Sequence, residues 1–137
     1  MILFSKTIGT GQDLVILHGL FGSSDNWQSF ARSISEQFKV TMIDLRNHGR
    51  SLHTEAFSYA LMSEDLEDTM KSLGIESCIL LGHSMGGKTA AYFALHYPQR
   101  VRSLWIIDIT MRVYAPHHQI YFDAMLSLDL QKTSSRN

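Results

Sequence analysis

Five residues, Gly82-His83-Ser84-Met85-Gly86, follow the pattern G-x-S-x-G, and the spacing has a mechanical purpose. A serine on a sharp turn between a strand and a helix has a strained backbone and lifts its hydroxyl clear of the sheet. Positions two before and two after press on neighbouring backbone, so glycine fits where a side chain would clash. The helix that follows turns its N–H groups toward the site, which lets the Met85 N–H serve a developing oxyanion. Ser84 therefore reads as a nucleophile for acyl transfer. That chemistry needs a second donor. The loop His18-Gly19-Leu20-Phe21-Gly22-Ser23-Ser24 offers one, first the N–H of Leu20 and next that of Phe21.

A competing pattern overlaps these residues. Gly82 to Thr89 also fits G-x-x-x-x-G-K-[ST], a phosphate-cradling loop, with Lys88 as its lysine. Leu104-Trp105-Ile106-Ile107-Asp108 even resembles the apolar strand whose final aspartate holds magnesium in nucleotide-binding proteins. Against this, such a loop usually opens its domain, whereas three expected strands precede it here. The strand carrying Asp108 also follows at once, with no room for switch elements, and the other glycine loops are left unexplained. A fragment without catalytic activity is the third reading.

Elements must exist to position these residues. Residues 2–8 read as a strand closed by Gly9-Thr10-Gly11, and 14–17, 40–43, 78–81 and 103–107 as further strands, several wholly apolar. Trp27, Phe30, Ala31, Ile34 and Phe38 recur at helical spacing, with Ser24 or Asp25 as cap. Met62, Leu66, Met70 and Leu73 mark a second helix with Gly74 at its end, and 85–96 a third, stopped by Pro98. Ile120, Ala124 and Leu128 begin a last helix. This alternation predicts an α/β fold, a mostly parallel sheet with helices on both faces. Ligands in such sheets bind beyond the carboxyl ends of the strands, where the glycine loops and Asp108 all fall.

The chain has 137 residues, 45% hydrophobic and 18% charged, which fits one globular domain. Its net charge of -1, with no cluster of Lys and Arg, offers no footprint for nucleic acid. The apolar runs are too short to span a membrane, and the N-terminus is too short in apolar residues for a signal peptide. One cysteine, Cys78, excludes an intramolecular disulfide and suits a reducing, cytoplasmic compartment. No spacing of His, Cys, Asp and Glu suggests a metal site.

The loops His18-Gly19-Leu20-Phe21-Gly22-Ser23 and Asp44-Leu45-Arg46-Asn47-His48-Gly49-Arg50-Ser51, taken with Gly82-His83-Ser84-Met85-Gly86-Gly87-Lys88, occur in a recognisable order. Together they resemble the α/β-hydrolase fold, most closely its small serine esterases of the YbfF type. The resemblance implies a small-molecule ester or thioester as substrate, Ser84 as nucleophile and Leu20 with Met85 as oxyanion hole. It implies Asp108 as the acid of the triad and no cofactor. In the loops, His18 reads as structural, and Arg46 and His48 as ties to loop carbonyls.

Members of the family are about twice as long. The resemblance therefore covers an N-terminal part only: residues 1–113 as core and 114–137 as the incomplete start of a helical cap. The last strands and the catalytic histidine are expected beyond residue 137, so the 137-residue form is expected to show little or no turnover. The strand ending at Asp108 would be left with an open apolar edge. His83 adjoins Ser84, but neighbours on such a turn are expected to point apart. His117 and His118 complete a chain order of Ser, Asp, His, which is weak evidence without hydrogen-bond reach.

Overall fold

The computed structural model describes residues 1–112, 123, 124, 126 and 127. Most of the expected cap over 114–137, with His117 and His118, lies outside the described residues. Five strands form one sheet: β1 (Ser5–Ile8), β2 (Gln12–Leu17), β3 (Phe38–Ile43), β4 (Cys78–His83) and β5 (Val101–Ile107). Their order is β1-β3-β2-β4-β5; β1 runs antiparallel to β3 and the other pairs are parallel. The helices are α1 (Gln28–Ile34), α2 (Tyr59–Ser72) and α3 (Met85–His96).

Apolar side chains fill both faces, as the unbroken apolar strands require. Along β2, Val15 and Leu17 pack with Leu66, Met70 and Phe93 beneath α2 and α3. Leu14 and Ile16 pack with Ala31, Val40 and Met42 beneath α1. The period-two alternation of the strand divides one run between two cores.

Several boundaries differ from the sequence reading for local reasons. Residues 2–4 are not strand, because the Leu3 N–H donates to Thr69 Oγ1 and the Phe4 N–H to Ser51 Oγ, both at 2.9 Å. Those amides are satisfied by side chains and need no ladder partner. The first helix is a 3-10 turn over Ser24–Trp27 leading into α1, and its cap is Ser23, in a reciprocal capping box with Asn26, rather than Ser24 or Asp25. α2 starts at Tyr59 because the Ser58 hydroxyl accepts the Leu61 N–H. It ends as expected at Gly74, with φ 68°, where the Gly74 and Ile75 amides return to the carbonyls of Lys71 and Met70.

Candidate active site

β4 runs through His83 and α3 starts at Met85, so Ser84 alone makes the turn between them, with φ 51° and ψ -116°. This is a region that L-residues rarely occupy. Close packing holds it there. A Cβ on Gly86 would lie 2.5 Å from the carbonyl oxygens of Leu17 and His18, and one on Gly82 would collide with the Gly86 carbonyl. The Ser84 N–H is fixed by the Ile107 carbonyl at 3.0 Å. A one-residue turn leaves no loop whose amides could wrap a phosphate, which removes the geometry that the nucleotide-binding reading of Gly82 to Thr89 requires. The Lys88 ammonium instead donates to the Arg112 carbonyl at 3.1 Å.

Met85 opens α3, so its N–H has no acceptor within the helix. The first glycine loop lies against the turn: a Cβ on Gly19 would be 3.2 Å from Ser84 Cβ. His18 anchors that loop. Its Nδ1 bonds the Gly19 carbonyl at 2.7 Å and its Nε2 accepts the Leu45 N–H at 3.0 Å. The Leu45 donor requires an unprotonated Nε2, and burial pushes the imidazole below its ordinary pKa.

The second loop is braced in the same way. The Ser24 and Arg50 amides donate to the two oxygens of the buried Asp44 carboxylate. The Arg46 guanidinium grips Asp65 of α2 with Nε at 2.6 Å and Nη2 at 3.0 Å, and donates to the Ala56 carbonyl at 2.7 Å. His48 Nδ1 bonds the Arg46 carbonyl. Arg46 and His48 thus tie down loop carbonyls, as read from the sequence.

Asp108 follows β5 with φ 55° and is 85% exposed. It shares a cleft of about 830 Å3 with Ser84, Met85, Leu20, Lys88 and Met62. All four residues singled out from the sequence, Ser84, Asp108, Leu20 and Met85, therefore line one cavity. None of the described histidines hydrogen-bonds to the Ser84 hydroxyl. His83 does come near Asp108, with Nε2 3.7 Å from Asp108 Oδ2, although too far for a hydrogen bond. The pairing of His83 with Ile107 across β4 and β5 makes that approach, and local sequence carries no sign of it. Phe57, Tyr59 and Ile109, which also line the cleft, escaped the sequence reading because they come from a loop, a helix start and a strand end without any motif.

Residues 14–136 match the family described as the alpha/beta hydrolase fold. The chain belongs to the alpha/beta hydrolases. Among solved structures, the chain is similar to a marine microorganism esterase, with 44% identity and a TM-score of 0.90 over 93% of this chain and 52% of that one. It is 42% identical over 125 residues to the sn-1-specific diacylglycerol lipase ABHD11 of Xenopus tropicalis, covering 88% of this chain and 39% of the lipase. It is 38% identical over 96 residues to Esterase YbfF of Escherichia coli, covering 70% of this chain and 38% of that esterase. The chain thus spans less than half the length of these curated relatives. Among its described residues no helix is long and apolar enough to cross a membrane, and no group of three or more His, Cys, Asp or Glu could hold a metal.

Proposed function

We propose that the protein is a serine hydrolase of carboxylic esters or thioesters, acting through an acyl-enzyme on Ser84. The observation that carries this reading is the strained one-residue turn at Ser84, opening onto the cleft that also holds Asp108. In the proposed reaction a histidine takes the hydroxyl proton while Ser84 Oγ attacks the ester carbonyl. The Leu20 and Met85 N–H groups receive the charge that develops on the carbonyl oxygen. The alcohol or thiol then leaves with a proton from the same histidine, and water releases the acyl group by the same route in reverse. Asp108 orients that histidine and stabilises its charged form. The base is assigned to a segment outside the described residues. The names of the similar proteins, esterases and a diacylglycerol lipase, support the substrate class. The lone thiol of Cys78, buried and unpaired, fits a cytoplasmic setting.

The test is p-nitrophenyl ester hydrolysis by the protein with its full reading frame, alongside covalent labelling by a fluorophosphonate. Ser84→Ala is expected to abolish both, and Asp108→Asn to lower the rate by about 10^4-fold. Full hydrolysis by Ser84→Ala would overturn the reading.

A further inference from the structure

Phe57 is an exposed aromatic side chain whose place is nonetheless tightly specified. Its ring is 48% exposed and lines two cavities at once: the Ser84 cleft of about 830 Å3 and a neighbouring hollow of about 420 Å3 bounded by Phe21, Asn47 and His48. Among the described residues only Leu20 shares that double membership. Leu20 and Phe57 therefore form the wall between the two spaces, beside the loop that approaches Ser84.

The backbone around Phe57 is held from both sides. Preceding it, the Ala56 carbonyl accepts from Arg46 Nη1 at 2.7 Å and from Thr54 Oγ1 at 3.0 Å. Arg46 itself is locked by its two bonds to Asp65, with the two side chains only 7% and 1% exposed. Following it, Ser58 caps α2, which puts Phe57 just before the cap and Met62 at the fourth helical position, the arrangement of a hydrophobic staple. Both side chains face the Ser84 cleft. A buried ion pair is weak support for stability compared with apolar packing, but it fixes a position well. Here it fixes the backbone carbonyl that precedes Phe57.

We propose that Phe57 is a specificity-determining residue: with Leu20 it ends the space available to an apolar substrate chain in the Ser84 cleft and bars it from the adjoining hollow. This rests on the ester-hydrolase reading. A chain that fits the first cleft gains from each methylene it buries until it meets the Phe57 ring. Further methylenes then stay in water and add nothing. Removing the ring joins the two cavities and lets the gain continue.

Two measurements test this. The first is the dissociation constant of straight-chain methyl ketones of increasing length, which needs no turnover. The wild-type protein is expected to reach a plateau. Phe57→Ala is expected to go on tightening about fourfold for each added methylene beyond it. Phe57→Trp is expected to bring the plateau to shorter chains. The same plateau in all three, or no dependence on length in the wild type, would overturn the proposal. The second is the chain-length profile of p-nitrophenyl ester hydrolysis by the full-length protein. Loss of activity in Ser84→Ala with an unmoved profile in Phe57→Ala sinks the partition alone. Full activity in Ser84→Ala sinks the hydrolase reading itself, while the ketone series still decides what Phe57 does. Thermal unfolding of both Phe57 variants within a few degrees of wild type shows that the shift is not a folding defect.

Discussion

The ends of β4 and β5 make an instructive pair. They are adjacent parallel strands, and each delivers a residue with positive φ to the same cleft, Ser84 at 51° and Asp108 at 55°. Around Ser84 the backbone is crowded by Gly82, Gly86 and the carbonyls of Leu17 and His18, so that one conformation is enforced. Around Asp108 the carboxylate is 85% exposed, with the His83 ring 3.7 Å away. β4 lies between two strands, whereas among the described residues β5 pairs only with β4 and leaves Trp105, Ile106 and Ile107 between 37% and 40% exposed. The geometry of Ser84 is thus set by its two glycines pressed against neighbouring backbone. The position of Asp108 is set by strand register and by little else among the described residues.

That contrast predicts unequal responses to substitution. Gly86→Ala puts a methyl group against two backbone carbonyls that cannot rotate away, and is expected to cost about 3 kcal/mol of stability despite the better helix propensity of alanine. Asp108→Asn should change stability by no more than about 0.5 kcal/mol. Chemical denaturation of the two variants measures both, and equal losses would break the comparison.

A pH series sharpens it next. The imidazole of His18, which braces the first loop, has a folded pKa below its unfolded value near 6.5 because of burial. The unfolded chain therefore binds the proton more readily. Stability should hold above pH 6.5 and fall as the pH drops below it, by up to about 1.4 kcal/mol per pH unit from this group until the folded form also protonates. Unfolding free energies of wild type and His18→Gln between neutral and mildly acidic pH would show the difference, the variant having lost this part of the slope.

The smallest effect concerns the other end of β4. Burial pushes the Cys78 thiol up to about 12, so it carries almost no thiolate at neutral pH. Iodoacetamide is expected to leave it intact in the native protein and modify it only after unfolding, as mass spectrometry would record.

The same contrast explains what the sequence disclosed. The turn at Ser84 and the buried strands were legible because their signs are local: a glycine on each side of the serine, and apolar runs too short for helices. Arg46 and His48 could be read as loop ties because their loop was itself a motif. Residues 2–4 misled, since their apolar character said strand while their amides found the hydroxyls of Ser51 and Thr69, which are distant in sequence. The approach of His83 to Asp108 depends on the register between two strands. The position of Phe57 depends on an ion pair that joins a loop to α2. Neither relation leaves a trace in local spacing.

The torsion angles at residue 84 have an evolutionary corollary. A left-handed backbone with a side chain stores on the order of 1–3 kcal/mol that glycine would release, yet glycine has no hydroxyl. On the proposed role of Ser84, the position is held in tension between thermal robustness and reactivity. Mutational drift toward a sturdier protein at this turn would then be drift away from the proposed chemistry.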